Sequence, residues 1–361
     1  MKILYDSQTF KMQKFGGISR YFYKLAKYNK GKFDCIFSGK YIDNIYISEI
    51  SNIKSFPIKS DFKGKGRLLS FVNDFSNRKS IKNESYDIFH PTYYGPLVFP
   101  TKKPIVITAH DFIHELFPSF FSKGDKTSER KKIIFKKAAR IIAISETTKN
   151  DLLRFFPEVP ESKIDVVYHA IEWEICNTKS KSLISKNYIL FTGARHIYKN
   201  FMLFLIAVAP LLRKYDLNLV CTGGEFKPDE SALIQILGVS GYVINVFADE
   251  KTLKTLYQNA LCFVFPSVYE GFGLPILEAF ASKCPIAISN TSCFPEIAGD
   301  AAVYFDPYSQ DDMRKKIENL ICSESLQKKL VKKGVERFKY FSMDAMINNT
   351  AKVYEKAIKE F

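Results

Sequence analysis

Acidic residues are scarce in this chain. Asp and Glu number 38 against 53 Lys and Arg, a net charge of +15 over 361 residues. That balance excludes an acidic, self-solvating protein. It favours an anionic partner: nucleic acid, an acidic membrane surface or a phosphorylated substrate. The seven cysteines include no Cys-x-x-Cys pair, which speaks against a disulfide framework and fits a reducing compartment. Cys35, Cys221 and Cys262 stand inside apolar, strand-like runs and read as small core residues. No Walker loop is present, so that kind of phosphate site is not signalled. No recognisable nucleic-acid module occurs either, and no nucleic acid is expected among the partners. Long apolar runs are missing too. The longest, Phe201 to Leu212, is too short to cross a bilayer and holds Pro210, where a helix is expected to kink or break. Met1-Lys2-Ile3-Leu4-Tyr5-Asp6 turns polar too early for a signal peptide. The expected location is the cytoplasm, with a peripheral place on the inner face of the membrane left open.

Hydrophobic residues make up 46% of the chain, with 32 Phe and 20 Tyr, enough for two ordinary cores. Short apolar runs at Lys2 to Tyr5, Phe33 to Ser38, Tyr86 to His90, Pro104 to Ala109, Arg140 to Ile144 and Asp165 to Tyr168 read as buried strands. Helical or loop segments separate them, which predicts a doubly wound α/β sheet. Periodicity fades from Ile171 to Lys186, and a second α/β series begins at Tyr188. The expected division is 1–175, 176–342 and a final helix over 343–361. Lys54 to Asn83 mixes cations with Phe and Leu and reads as a mobile, basic and apolar excursion.

The most informative stretch runs from Leu261 to Ala279. Leu261-Cys262-Phe263-Val264-Phe265 reads as a buried strand, and Pro266 to Gly273 as a glycine-bearing loop. Pro275 suits a first helical turn, where its missing N–H costs nothing. A strand, a tight loop and a helix start aim unpaired amides into the crevice above a sheet. Glu270 and Glu278 flank that loop as hydroxyl acceptors. Amides for phosphate and carboxylates for vicinal hydroxyls together fit a nucleotide sugar.

Glu270 and Glu278, on either side of Gly271-Phe272-Gly273-Leu274-Pro275, resemble the signature of the large retaining glycosyltransferase family numbered four. That resemblance implies the GT-B fold: two facing Rossmann-like, doubly wound domains with a cleft between them. It further implies that Glu278 holds the donor ribose and Glu270 contacts the transferred sugar. The amides of Gly271, Phe272, Gly273 and Leu274 would lie against sugar and diphosphate. Gly193-Ala194-Arg195-His196-Ile197-Tyr198-Lys199-Asn200 resembles the family's basic phosphate motif. Lys199 matches it well, whereas Arg195 is displaced from the usual position. Gly16-Gly17 resembles the loop that meets the donor from the first domain, and His110 a histidine that reaches the sugar. Ser145-Glu146 and Glu296 match family positions and read equally well as a helix cap and a turn. The last helix is implied to return to the first domain.

Asp-x-Asp is absent, so Arg195, Lys199 and helix-end amides, without a metal, are expected to carry the charge of a leaving diphosphate. No other cofactor is implied. The expected activity is retaining transfer of a hexose-like sugar from a nucleoside diphosphate. The acceptor is a lipid-linked or free saccharide in surface-polysaccharide or O-antigen assembly. Two alternatives are a catalytically inactive relative serving as a binding subunit and a nucleotide-sugar epimerase of the same fold. Arg130 to Ala138 interleaves cations with apolar residues, and its Lys131, Lys132, Lys136 and Lys137 suit an anionic bilayer if they share a surface. Donor base, sugar, linkage, acceptor and oligomeric state are left open.

Overall fold

The computed structural model describes residues 1–12, 14, 16–51, 53, 65–83, 85–95 and 101–361. The chain forms two units, one from Met1–His169 with Met343–Phe361, the other from Ala170–Ser342. The crossing precedes the 175/176 boundary read from the sequence. The reason is local: Trp173 is buried in the second unit, where its Nε1 donates to Glu250 Oε1 at 2.6 Å.

The first unit has six strands: β1 (Lys2–Tyr5), β2 (Asp34–Phe37), β3 (Ile88–His90), β4 (Val106–Ala109), β5 (Arg140–Ala143) and β6 (Ile164–Val166). They pair in parallel as β2-β1-β3 and β4-β5-β6, and a parallel bridge between Phe89 and Ile105 links the two sets. β1, β4 and β5 are apolar almost throughout because both faces of a parallel sheet are covered. The Met343–Lys359 helix completes this core. Its Tyr354 hydroxyl lies 2.9 Å from that of Tyr5 and 2.8 Å from His90 Nδ1, and all three side chains are buried.

The stretch expected to be mobile contains a helix, Lys65–Asn83; residues 54–64 lie outside the described residues. Its helical nature is hidden because its anchoring residues are polar. Asn73 bridges Lys40 N, Tyr41 O and Leu69 O, and Asn77 accepts from the hydroxyls of Ser7 and Ser38. Ile81 near its end joins the core with Leu4, Tyr86 and Phe89, whereas Phe71 is 72% and Phe75 65% exposed.

The second unit holds β7 (Tyr188–Phe191), β8 (Asn218–Thr222), β9 (Val243–Val246), β10 (Cys262–Phe265), β11 (Ile286–Ser289) and β12 (Val303–Phe305). They form one parallel sheet in the order β12-β11-β10-β7-β8-β9. The Phe201–Lys214 helix runs unbroken through Pro210, contrary to the kink or break expected from the sequence. Val208, Leu211 and Leu212 are buried in the same core as β7 and β8. Their burial offsets the hydrogen bond that proline removes.

Candidate active site

Both sheets are doubly wound, so each has a point where strand order reverses, and ligands of such sheets bind beyond the strand ends there. In the second unit the point lies between β7 and β10. The residues that follow those strands are Thr192 to Asn200 and Pro266 to Gly273.

After β10 the chain turns into the Leu274–Ala281 helix, with Pro275 in its first turn. Gly273 caps it at φ 88°, a left-handed conformation, and a Cβ there would meet Ile276 and Phe294 side-chain carbons at 3.2 Å. Glycine is therefore required on two counts. Glu270 is held at its backbone, its N–H donating to Ser292 Oγ at 3.2 Å while that hydroxyl donates to Glu270 O at 2.6 Å. The Phe272 side chain is buried edge-on to Phe341.

After β7 the chain forms the short 3-10 turn Ile197–Lys199, ended by Asn200 in the left-handed region. The Asn200 amide donates to Pro307 O at 2.7 Å and fixes the turn. Lys199 and Glu270 form a close ion pair, each side chain less than one-fifth exposed, across the two strand-end loops. Lys199 Nζ also lies 5.2 Å from the Phe265 ring centre. Burial, with Lys199 and Lys227 nearby, holds His196 below its ordinary value, which favours the neutral ring.

Glu278 is buried to 8% exposure and accepts from the Tyr257 hydroxyl at 3.2 Å. Tyr257 in turn lies 3.1 Å from Thr192 Oγ1, and its ring packs edge-on against Trp173. Tyr257 and Thr192 escaped the sequence reading. Tyr257 sits within an amphipathic helix, Glu250–Asn259, where a tyrosine reads as core.

Arg195 is engaged within its own unit, although its Nη1 is buried without a partner. Its side chain is 3% exposed; Nε donates to Glu230 at 2.9 Å and Nη2 to the carbonyls of Gly224 and Glu225 at 2.6 Å. It secures the Gly223 to Lys227 loop, leaving Lys199 as the cation nearest Glu270.

In the first unit, Gly16 is the cap of the Gly17–Tyr28 helix, and a Cβ on Gly17 would meet nothing within 4 Å. Packing therefore does not demand glycine there. His110 is buried after β4, stacked on His169 with ring centres 6.2 Å apart, and burial pushes it down to about 4. Ser145 caps the Glu146–Phe155 helix by accepting from Thr148 N at 3.0 Å. Lys131, read as one of a set of surface cations, is instead fully buried. Its Nζ donates to Asp111 O at 2.7 Å and Glu115 Oε2 at 2.8 Å, over the Phe112 ring.

A family model described as glycosyl transferases group 1 matches residues 177–337, and one described as glycosyltransferase family 4 matches residues 15–174. The chain is similar to O-antigen chain mannosyltransferase B of Escherichia coli, 25% identical over 98% of this chain and 100% of that one. It is 27% identical to O-antigen chain mannosyltransferase RfbU of Salmonella typhimurium, over 69% of this chain and 70% of the other. In fold it resembles a crystal structure of a glycosyltransferase from Rickettsia africae, with a TM-score of 0.74 at 18% identity over 99% of this chain and 98% of that one.

Proposed function

Because the chain belongs to the group 1, family four glycosyltransferases of GT-B fold, we propose that it is a retaining hexosyltransferase using a nucleoside-diphosphate sugar, with a lipid-linked saccharide of a surface polysaccharide as acceptor. One observation carries this reading: Lys199, Glu270 and Glu278 converge beyond the strand ends where the second sheet reverses order. Glu278 accepts from the ribose hydroxyls, Lys199 meets the diphosphate and Glu270 positions the sugar. The acceptor oxygen bonds to the anomeric carbon on the face from which the diphosphate leaves. The carbon–oxygen bond to the diphosphate breaks, its electron pair stays on the diphosphate, and the hydroxyl proton moves there too. No protein nucleophile or metal is required; Lys199 offsets the developing charge. Mannose is the first sugar to test, since both named relatives are mannosyltransferases.

The acceptor's lipid favours work at a membrane surface. No described helix is long and apolar enough to cross one. The Lys65–Asn83 helix, however, exposes Leu68, Phe71 and Phe75 together with Arg78, Lys79 and Lys82. The Thr127–Lys137 helix exposes Ile133 with Lys132, Lys136 and Lys137. Apolar groups among cations suit an anionic bilayer.

A thermal-shift panel of nucleotide sugars and nucleoside diphosphates tests the donor. A specific ligand raises the melting temperature by mass action. Glu278→Ala should weaken nucleoside diphosphate binding by about 1.5–3 kcal/mol, the worth of a hydrogen bond to a charged group. A panel in which nothing stabilises the protein would overturn the reading; an unweakened Glu278→Ala would overturn the ribose assignment.

A further inference from the structure

The second sheet ends at β9, whose one neighbour is β8. The Leu219 N–H donates to Tyr242 O at 2.8 Å. Successive strand residues turn their backbone groups to opposite sides, so those of Val243, Asn245 and Phe247 face the open side. Among the described residues no backbone hydrogen bond reaches them there. All four residues of β9 are only half-buried. Phe247, directly after the strand, is 73% exposed. Ile236, which ends the Pro228–Ile236 helix before the strand, is 80% exposed.

An open strand edge is a template for another strand, and proteins blunt such edges with charge, proline or a bulge. The other edges of this protein carry charge. β2 begins with Asp34, β6 contains Asp165 in ion pairs with Arg140 and Lys356, and β12 is followed by Asp306. β9 has no such guard. From Ser231 to Ala248 there is no Asp, Glu, Lys, Arg or His, the longest such run in the chain. Lys186, 5.8 Å from the Tyr242 ring centre, is already paired with Asp216 at 2.7 Å.

The strand that fits this edge is its own counterpart in a second copy. Two chains of charge +15 repel each other, so they meet best through a surface without charge. A two-fold contact must also be self-complementary, and the outward residues are. Antiparallel pairing about an axis at Asn245 sets that residue opposite its equivalent and Val243 opposite Phe247, each pair exchanging both backbone bonds. An aromatic side chain against a β-branched one is a favourable cross-strand pair. The exposed Phe247 of one copy thus comes to the start of the other's strand. The helix end that exposes Ile236 is tied to that start, since Val239 N donates to Ile234 O at 3.2 Å and Tyr242 N to Val239 O at 2.9 Å.

We propose that β9 pairs with β9 of a second copy, antiparallel about a two-fold axis at Asn245, and joins two six-stranded sheets edge to edge. Sedimentation velocity and light scattering on the full chain test this. The parent should be a dimer at micromolar concentration. Val243→Lys and Phe247→Lys should each weaken dimerisation at least tenfold, with the melting temperature of the resulting monomer still that of a folded protein. Phe247→Lys, at an exposed position, serves if the half-buried Val243→Lys does not fold. Asn245→Cys reads the register. Directly opposite Cα atoms of such a pair lie about 5.5 Å apart, within the reach of a disulfide at about 4.4–6.8 Å. With the exposed Cys322 replaced by Ser, oxidised glutathione should link the two copies through residue 245. A parent that stays monomeric throughout, or a dimer unchanged in the folded variants, would overturn the proposal. A dimer in which Asn245→Cys stays unlinked would place the contact elsewhere and overturn it too.

Discussion

Tyr257→Phe isolates one oxygen atom. The hydroxyl is removed while the ring, packed edge-on against Trp173 and Phe263, stays. That oxygen donates to Glu278 at 3.2 Å and lies 3.1 Å from the Thr192 hydroxyl. Glu278 is 8% exposed, so water does not readily replace the lost donor. A hydrogen bond to a charged group is worth about 1.5–3 kcal/mol. Part of that loss appears as stability, and part as a Glu278 carboxylate less firmly held in the position proposed for ribose. A share of about 1.4 kcal/mol in the second form weakens nucleoside diphosphate binding tenfold. Calorimetry with the nucleoside diphosphate reads this directly. KM for the donor should rise in parallel, with kcat at saturating donor nearly unchanged, because the contact serves ground and transition states alike. Affinity within twofold of the parent, or a fall in kcat with unchanged KM, would refute the view that Tyr257 positions Glu278.

Lys199→Ala should lower kcat more than donor affinity, by about 2.7–4 kcal/mol in barrier as for loss of one preorganised contact elsewhere; unchanged turnover at saturating donor would remove Lys199 from the reaction. Chelator should leave activity intact, and loss of activity restored by a divalent ion would reveal a metal requirement. Burial depresses His90 to about 3 and His110 to about 4, so both fold as neutral rings. Their contribution is full above the unfolded value near 6.5 and is lost as pH falls from there through the folded values. Melting temperature should therefore drop between pH 6.5 and 5, and a flat profile there would contradict their burial as neutral groups. Co-sedimentation with vesicles should rise with anionic lipid and fall with salt. Charge reversal at Lys132, Lys136 and Lys137, or Phe71→Ser with Phe75→Ser, should weaken it; binding indifferent to all of these would deny the membrane contact.

The strand, loop and helix start that carry Glu270 and Glu278 were legible in the sequence because their signals are local. An apolar run, a glycine loop and a proline in the first turn act on neighbouring residues only. The alternation of strand and helix was legible for the same reason, since parallel strands covered on both faces are apolar throughout. What the sequence hid was decided at a distance. Lys131 is buried because Glu115 and the Asp111 carbonyl receive it. Arg195 serves Glu230 and the carbonyls of Gly224 and Glu225. The Lys65–Asn83 helix is anchored by Asn73 and Asn77 on turns far off in the chain. A pattern that seeks apolar residues inward misses a helix whose buried face is mostly Asn73, Asn77 and Ser80.

The place of Met343–Phe361 within the first unit bears on the order in which the protein is made. A ribosome completes residues 170–342, and with them the second sheet, before Tyr354 exists to meet Tyr5 and His90. Until then Phe33 lacks the ring of Tyr354, which meets it edge-on at 5.2 Å in the finished chain. Its earliest strand is thus among the last parts to be sealed. Folding from the N-terminus, the usual expectation for successive domains, is here interrupted by a whole unit that can finish first.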